Sequence, residues 1–310
     1  MITRDTDAFL RFAHGSAPDF GPATARAAFL VSPDGFARAD ESARDNIYMA
    51  DAPAFDPACA LDEHRGLHRA LSRCLPTICF AGDPATPDAV FPNNVFATAH
   101  PDAAGGGAGR VIIGRMRHPV RRREAIRDDI RGFFTDVLGY RLHDLSGQLH
   151  PCELTGSLVI DRARGLGFCG LSERCDEAGA RLMHDAFGLR ATLMFDLAPG
   201  EYHANVVLSV LAGRALLVCP DGFADPATAD AIASLYVPHT VRLSAAERAA
   251  FAGNAIALGD TVWMSTRAGQ ALVSPQHERL QAAGFRIETV ALDTIEAAGG
   301  SLRCCVGEIY

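Results

Sequence analysis

The sequence predicts an α/β fold in which five similar units close into a ring. Three observations support this prediction. A β-β-α-β pattern of apolar residues recurs at intervals of about 40 to 55 residues, which is within the range typical of repeat architectures. The chain has 310 residues, 48% of them hydrophobic, and this is enough for a large core. Strand-like segments left over at the two chain ends supply the parts of one further unit.

Four complete units can be traced along the chain, each with two short strands, a helix and a third strand. Short apolar runs are read as strands, and longer segments with charged residues between the apolar ones are read as helices. In that order of elements, the units comprise residues 91–96, 110–114, 120–137 and 141–145; 157–161, 167–170, 175–187 and 191–196; 205–211, 215–219, 226–236 and 240–243; and 255–258, 261–265, 268–283 and 285–292.

The fifth unit combines both ends of the chain. The amino-terminal part supplies a strand at 27–31, a helix at 61–73 and a strand at 77–80, and the carboxyl-terminal part supplies a strand at 302–309. Closing the ring in this way removes exposed sheet edges. The predicted architecture is a five-bladed pseudosymmetric α/β propeller of ββαβ units, closed by the two chain termini. The alternative is an open α/β sandwich with the same local pattern.

This organisation predicts one domain, residues 26–310, preceded by an irregular amino-terminal arm, residues 1–25. The glycine-rich segment 103–109 is expected to be a flexible hairpin loop. It lacks the Lys-Ser/Thr end of a phosphate loop and the spacing of a dinucleotide fingerprint. We therefore expect no cofactor.

The composition limits the classes of partner. A formal net charge of -8 argues against nucleic acid and anionic membranes as partners. Residues 1–19 carry charges throughout, and no later stretch approaches about 18 uninterrupted apolar residues. The nine cysteines include no CxxC pair, which disfavours a disulfide framework and a zinc ribbon. We therefore expect a cytoplasmic protein without a bound metal.

Polar residues cluster where the first strand of each unit begins. Asn93 and Asn94 begin the first unit, Glu153 precedes the second, His203 precedes the third, and Cys304 begins the fifth. In a closed ring the first strands converge on the axis, so these side chains are expected to meet. A cysteine, a histidine and a carboxylate together provide a nucleophile, an acid/base and an orienting group. The alternative is that each residue caps its own strand.

Cys304 has the surroundings of a presented nucleophile. The pair Gly299-Gly300 permits close approach of a ligand to the backbone, and Arg303 supplies local positive charge, which favours the thiolate. Strand alternation places Cys304 and Cys305 on opposite faces, so one of them at most lines a given site. A buried structural cysteine pair is the alternative.

Five motifs in order resemble the guanidino-group-modifying superfamily. That superfamily includes arginine deiminase, dimethylarginine dimethylaminohydrolase, succinylarginine dihydrolase and glycine amidinotransferase, and the chain looks most like the arginine-deiminase-related "citrulline utilisation" hydrolases. The resemblance covers residues 25–310 and implies a five-bladed α/β propeller. The motifs are FPNN at 91–94, ELTGS at 153–157, GLSER at 170–174, YHANV at 202–206 and GGSLRC at 299–304.

The resemblance also implies a mechanism, placed in the single domain 26–310. Cys304 would attack the central carbon of a guanidinium or related amidine, forming a covalent thiouronium adduct and expelling ammonia or an amine. His203 would protonate the leaving group and then activate water, while Glu153 would orient the guanidinium. A cationic substrate beside the thiol would lower the thiol pKa, because an opposite charge favours the ionised form.

Four further residues are implied to bind the substrate: Asn93, Asn94, Asn205 and Arg174. A guanidinium fork suits a carboxylate, so Arg174 is expected to bind the carboxylate of an amino-acid substrate. A surface arginine at the start of the next helix is the alternative. Arginine deiminase places aspartates where this chain has Asn94 and Asn205. An amide carries no charge, so a substituted or less cationic substrate becomes plausible.

Three functions remain open on the sequence. The first is hydrolysis of an arginine-like compound through a Cys304 adduct, the second is transfer of the amidino group to an amine, and the third is ligand binding without catalysis. The expected partner is a small cationic guanidino substrate. A homodimer is a possible assembly.

Overall fold

The computed structural model describes residues 1–51, 54–100 and 107–310. Its strands are β1 (Ile2–Thr3), β2 (Ala27–Val31), β3 (Thr77–Phe80), β4 (Phe96–Ala99), β5 (Arg110–Ile113), β6 (Arg141–Asp144), β7 (Leu158–Asp161), β8 (Leu166–Leu171), β9 (Ala191–Asp196), β10 (Leu208–Leu211), β11 (Ala215–Val218), β12 (Thr240–Arg242), β13 (Ile256–Leu258), β14 (Thr261–Ser265), β15 (Arg286–Val290) and β16 (Gly307–Ile309).

Its α-helices are α1 (Thr6–His14), α2 (Pro57–Leu71), α3 (Pro119–Arg122), α4 (Asp128–Gly132), α5 (Leu154–Ser157), α6 (Glu177–Phe187), α7 (Ala204–Val207), α8 (Pro226–Ser234), α9 (Ala245–Ala249), α10 (Thr266–Ala271), α11 (Ser274–Ala282), α12 (Asp293–Glu296) and α13 (Leu302–Cys305). Short 3₁₀ turns cover Ser42–Asp45, Pro92–Asn94, Glu124–Ile126 and Pro220–Gly222, and a π turn covers Phe133–Val137. No helix in the described ranges is long and apolar enough to cross a membrane.

The described strands form five separate sheets that share one pairing scheme. In each sheet the first two strands of the ββαβ unit are antiparallel, and its third strand runs parallel to the second. In one sheet β1 adds a fourth strand, parallel to β9. A parallel neighbour requires a crossover, and helices lie in these crossovers. The strand orders are β16-β2-β3, β4-β5-β6, β1-β9-β8-β7, β10-β11-β12 and β13-β14-β15. The predicted ββαβ unit is therefore confirmed in the strand pairing.

One sheet joins the two ends of the chain. Strand β16 pairs antiparallel with β2, with Gly307 opposite Phe29 and Ile309 opposite Ala27. A side chain at Gly307 would collide with the Phe29 ring, since an added Cβ would lie 2.1 Å from Phe29 Cε1. The prediction that both chain ends contribute to one unit is confirmed.

The first residues extend the second of the complete units. Strand β1 pairs parallel with β9, with Ile2 opposite Thr192. Helix α1 is capped by Asp5, and its buried Phe9 packs edge-on against Phe168 with ring centroids 5.6 Å apart. The expectation of an irregular amino-terminal arm is wrong, because this segment has both a paired strand and a buried helix face. Most of the glycine-rich segment 103–109 lies outside the described residues.

Local sequence explains where the longer helices begin and end. Asp56 and Asp225 each accept backbone N–H bonds at the start of α2 and α8, and a proline follows in the first helical position. Helix α6 ends at Gly188, whose φ of 64° is the left-handed conformation that favours glycine. The predicted helix 120–137 is instead a series of short turns, and the predicted helix 268–283 is split at residues 272–273.

Candidate active site

The candidate site lies on short helical turns that precede the first strands of the units. Strands were predicted to begin at 157, 205 and 302, but α5, α7 and α13 occupy these positions and the strands follow them. The 3₁₀ turn Pro92–Asn94 has the same place before β4. These turns contact one another, α5 with α7 and with the Pro92–Asn94 turn, and α13 with that same turn. The turns thus bring residues from distant parts of the sequence together.

The helical turn changes the geometry of the cysteine pair. Cys304 and Cys305 lie next to each other in α13, not on opposite faces of a strand, and they are 1% and 0% exposed. Only Cys304 contributes to the cavity described below, while Cys305 packs in an apolar cluster. The predicted strand register is therefore wrong, although one cysteine still lines the site.

Glu153 and His203 form a buried pair. Both are 0% exposed, and His203 Nε2 lies 2.9 Å from Glu153 Oε2. The backbone N–H of Arg117 donates to Glu153 Oε1 at 2.9 Å, and the guanidinium of Arg174 lies 3.6 Å from Oε2. Burial alone would raise the pKa of Glu153, but Arg174 and His203 outweigh it and hold the pKa at about 2. Glu153 is therefore an anion at neutral pH.

The same burial acts in the opposite direction on His203. It lowers the pKa of the imidazole below the ordinary 6.5, although Glu153 partly opposes this change. His203 is therefore neutral at neutral pH. With the Nε2 hydrogen directed at Glu153, Nδ1 is the basic nitrogen, and Nδ1 has no hydrogen-bond partner in the described structure.

Cys304 packs among buried apolar residues, and two side-chain amides lie close to its sulfur. Its Sγ is 3.3 Å from Asn254 Nδ2 and 3.7 Å from Asn205 Nδ2. Burial raises the pKa of the thiol above its ordinary value, and the nearby amides and Arg303 offset only part of that effect. Arg303 forms a 2.8 Å ion pair with Glu308. Arg303 thus favours the thiolate as predicted, but burial outweighs it in the ligand-free protein.

A small cavity adjoins the thiol. Its volume is ≈ 10 Å³ measured as space for the centre of a water molecule, which is room for about one water. The wall combines charged side chains of both signs with amides and an aromatic ring. It includes Asn46, Asp88, Asn94, Arg121, Arg174 and Tyr202 beside Cys304.

Buried polar atoms around this cavity lack partners within the described ranges. Asp88 Oδ1 and Asn94 Oδ1 belong to the cavity wall, and both side-chain amide atoms of Asn93 and His203 Nδ1 lie on or next to the adjoining helical turns. Buried polar atoms in proteins are nearly always hydrogen-bonded, and leaving one unsatisfied is costly. A concentration of such atoms beside a thiol is therefore typical of a site that binds a polar ligand.

Arg174 is buried, with 2% exposure, so the alternative of a surface arginine is wrong. Its Nη2 donates to Asp45 Oδ1 at 2.6 Å and to the Ser42 carbonyl at 3.1 Å, and the guanidinium lies over the Tyr202 ring. Asp45 and Glu153 already compensate its charge. A substrate carboxylate at Arg174 would have to share the guanidinium with these groups.

The segment 42–49 covers the cavity. Ser42 Oγ donates to Asp88 Oδ2 at 2.6 Å, and Asn46 Nδ2 donates to the Gly299 carbonyl at 3.2 Å. Asp45 adds the contact with Arg174 and accepts from His118 Nε2 at 3.0 Å. These contacts fix one side of the cavity wall.

The structure brings together all seven residues predicted from the sequence, and it adds several more. Asn93 is tied to α5 through its carbonyl, which accepts from Thr155 Oγ1 at 3.0 Å. Asn254 was not predicted, although it directly precedes the fourth unit and the repeat could have identified it. Asp45 and Asp88 were not predicted either, because they lie outside the repeated positions and carry no sequence signal. The chemical roles of these residues stay predictions.

Gly156 permits the close approach of the central turns. A Cβ at this position would lie 2.7 Å from His203 Cε1 and 2.7 Å from Asn94 Oδ1. We expect Gly156→Ala to displace the imidazole, lower turnover by about 100-fold or more and reduce the free energy of unfolding by about 1–3 kcal/mol. Steady-state kinetics and urea unfolding measure both effects. Gly147→Ala is the matched control, because its Cβ would meet no described atom within 4 Å, and equal effects in both variants would contradict this explanation.

The chain is similar in sequence to proteins of known family. The family model for N,N dimethylarginine dimethylhydrolase, eukaryotic, matches residues 32–310. The N(G),N(G)-dimethylarginine dimethylaminohydrolase of Mycobacterium tuberculosis is 27% identical over 227 residues, which cover 72% of this chain and 67% of that protein.

Two solved structures have similar α/β folds. The N-terminal domain of ArgZ, a cyanobacterial arginine dihydrolase, superposes with a TM-score of 0.77 at 20% identity, covering 91% of this chain and 97% of that chain. A dimethylarginine dimethylaminohydrolase that carries an S-methyl-L-thiocitrulline adduct gives a TM-score of 0.68 at 19% identity, covering 92% and 100%. The resemblance to the guanidino-group-modifying superfamily is confirmed, and the chain belongs to the N,N dimethylarginine dimethylhydrolase family.

Proposed function

We propose that this protein hydrolyses the guanidinium group of an arginine derivative through a covalent adduct at Cys304. The observation that carries this proposal is that the Cys304 thiol and Arg174 line one cavity, and that Arg174 lies 3.6 Å from Glu153 of the buried Glu153–His203 pair. Family membership supports a C–N hydrolase acting on amidines. The M. tuberculosis relative is named for dimethylarginine and the cyanobacterial one for arginine, so both compounds are leading candidates.

The first step is attack on the guanidinium carbon. The bound cation lowers the pKa of the Cys304 thiol, since an opposite charge favours the thiolate. The sulfur electron pair forms the C–S bond, and the electron pair of the C=N bond moves to nitrogen. Glu153 would accept hydrogen bonds from the guanidinium nitrogens and orient the plane of the guanidinium group for attack by the sulfur.

His203 carries the protons. Its free Nδ1 would take the proton that the thiol loses and deliver it to the departing nitrogen, so that ammonia or an amine leaves as the C–N bond breaks. The neutral imidazole then removes a proton from water as the water oxygen attacks the thiouronium carbon. Breakage of the C–S bond releases a ureido product, and His203 returns its proton to the sulfur to regenerate the thiol. The second water proton is lost to solvent as the C=O bond of the product forms.

The pKa of Cys304 gives this mechanism a measurable pH dependence. Since the pKa is raised above 9.0 in the ligand-free protein, the thiol form predominates at neutral pH. Alkylation of Cys304 by neutral iodoacetamide is expected to be slow there and to accelerate as the pH rises through that pKa. Cationic chloroacetamidine is expected to react faster at neutral pH, because its charge stabilises the thiolate. Mass spectrometry of the peptide after Arg303 measures both rates. A plateau for iodoacetamide below about pH 8 would contradict the raised pKa.

The two alternative functions have less support. Glycine amidinotransferase chemistry uses the same adduct, but the matching family and the M. tuberculosis relative are named as hydrolases. A binding module without catalysis would not need a buried Glu153–His203 pair beside a thiol. Asn94 and Asn205 bring no negative charge to the site, which favours a substituted arginine over the free amino acid.

We also propose that residues 26–310 form one catalytic domain with a closed, five-bladed propeller architecture. Five sheets with the same pairing and the shared sheet of the chain ends support this arrangement. The substrate is proposed to be a small cationic guanidino compound bound by Asn93, Asn94, Asn205 and Arg174. We expect the protein to act in the cytoplasm, without nucleic acid, membrane, metal or cofactor, as a monomer or homodimer.

A substrate panel tests the proposed function. Arginine, methylated and N-acylated arginines, agmatine, guanidino acids and citrulline are incubated with the protein, and ammonia or amine release is recorded together with formation of the ureido product. Release from at least one arginine derivative supports hydrolysis and identifies the leaving group. Formation of a new guanidino compound only when an amine acceptor is added would favour transfer, and no reaction in either format would overturn the proposal.

A further inference from the structure

Asn254 holds Cys304 through both ends of its side-chain amide. Its Oδ1 accepts from the Cys304 backbone N–H at 3.3 Å, and its Nδ2 lies 3.3 Å from Cys304 Sγ. Nδ2 also donates to the Asn205 carbonyl at 2.9 Å. A backbone donor and a backbone acceptor thus determine which end of the amide faces the sulfur. Asn254 is 0% exposed, so this donor is shielded from solvent.

A donor fixed in this way distinguishes between the states of the sulfur. A neutral thiol or thioether sulfur accepts hydrogen bonds weakly, whereas a thiolate accepts them strongly. The Asn254 hydrogen bond is therefore strongest whenever the sulfur carries negative charge. Asn205 is a weaker candidate for this role, because its Nδ2 is 3.7 Å from Sγ.

We propose that Asn254 is a further catalytic residue whose amide stabilises the sulfur anion of Cys304 in both halves of the reaction. This inference rests on the proposed function. In the first half, the amide favours the thiolate that attacks the guanidinium carbon. In the adduct the sulfur is a thioether, and the bond weakens. In the second half, the C–S electron pair returns to sulfur, and the amide again stabilises the departing thiolate.

The neighbouring Ser209 supplies a matched control. Its Oγ lies 2.7 Å and 2.9 Å from the carbonyl oxygens of Gly253 and Ala255, on either side of Asn254, and these two acceptors share its one hydrogen. Removing this hydroxyl loosens the same turn without removing a donor to the sulfur. Ser209→Ala therefore reports what a purely structural disturbance of the turn does to Cys304.

The test compares Asn254→Ala, Asn254→Asp and Ser209→Ala with the wild type. The pKa of the Cys304 thiol is measured from the pH dependence of iodoacetamide labelling, with the modified residue located by fragmentation of the peptide after Arg303. This readout needs no substrate. Turnover of the best substrate and thermal unfolding are measured in parallel.

We expect Asn254→Ala to raise the measured thiol pKa by about 1 to 2 and to lower kcat by about tenfold to 100-fold, the size of a lost hydrogen bond to a charged group. Asn254→Asp keeps the shape of the side chain and can donate only when protonated. Its activity is expected to fall as the pH rises through the pKa of the new carboxyl, where the carboxylate repels the thiolate. Ser209→Ala should leave the thiol pKa unchanged.

The inference would be overturned if the pKa of the Cys304 thiol in Asn254→Ala were the same as in the wild type. It would also be overturned if Asn254→Ala and Ser209→Ala changed that pKa equally. If Asn254→Ala fails to fold, the pH profile of the isosteric Asn254→Asp decides the question, and a profile parallel to that of the wild type would overturn it. If the thiol pKa shifts as expected but the wild type hydrolyses no guanidino compound, the proposed function fails and the stabilising role of Asn254 stands.

Discussion

Cys304→Ala is expected to abolish release of ammonia or amine from guanidino substrates, with turnover lowered by about 10⁴-fold or more. The physical reason is that, among the described residues of the cavity wall, Cys304 alone carries a thiol that can form the covalent adduct. Cys305 is adjacent in the chain, but it packs in an apolar cluster and is absent from the described cavity wall. Burial also raises its pKa far above the ordinary value of 9.0.

Cys305→Ala is therefore the matched control, because it removes one sulfur atom from the residue next to Cys304. It should keep most of the turnover and reduce the free energy of unfolding by about 1 kcal/mol. Steady-state kinetics with the best substrate and mass spectrometry of the trapped adduct distinguish the two variants. Substantial turnover in Cys304→Ala, together with loss of turnover in Cys305→Ala, would show that the other sulfur is the nucleophile.

Glu153→Gln is expected to lower turnover by about 100-fold or more and to destabilise the fold by about 3 kcal/mol. Glutamine keeps the shape of the side chain but removes the negative charge that faces His203 and Arg174 at 2.9 Å and 3.6 Å. Breaking a buried ion pair in this way leaves a buried charge with less compensation. Glutamine also has one accepting oxygen instead of two, whereas the two oxygens of Glu153 accept separately from the Arg117 backbone N–H and from His203 Nε2.

The effect on stability has a defined pH window. The pKa of Glu153 falls from an ordinary 4.5 to about 2 on folding, so the carboxylate stabilises the folded state fully above about pH 4.5. This contribution is lost as the pH falls toward about 2, where Glu153 becomes protonated. The stability difference between the wild type and Glu153→Gln should therefore shrink over that window in urea unfolding experiments.

Glu173→Gln provides the comparison for this measurement. Glu173 is 70% exposed at its side chain and pairs with Arg117 at 3.0 Å, so screening by solvent makes the pair weak. The variant should change the free energy of unfolding by less than about 1 kcal/mol. A Glu153→Gln variant that is as stable as Glu173→Gln at neutral pH would contradict the importance of the buried charge.

The repeat in the sequence made the site predictable. Because Asn93, Glu153, His203 and Cys304 occupy equivalent places in different units, the period alone indicated that they would converge. The same reasoning applies to Asn254, which precedes β13 in the fourth unit. Asp45 and Asp88 had no such indicator, since they belong to connections that differ from unit to unit.

The local backbone conformation and the ionisation of the site residues were harder to predict from the sequence. The apolar runs at 157–161, 205–211 and 302–309 were interpreted as strands from their first residues, whereas the structure begins each with a helical turn. Such turns are too short to have a helical period of their own. The charge of Arg303 suggested an activated thiolate, but the burial of Cys304 outweighs that charge and raises the pKa of the thiol.

The sequence by itself determined the repeating ββαβ unit, the joining of the two chain ends and the identity of the groups that meet near the first strands. These features depend on periodicity and on residue type, which are properties of the chain alone. Only the tertiary structure decided the neutral state of the Cys304 thiol, the anionic state of Glu153 and the covering of the cavity by residues 42–49. Ionisation and access depend on burial and on distances between residues far apart in the chain, and folding alone sets those distances.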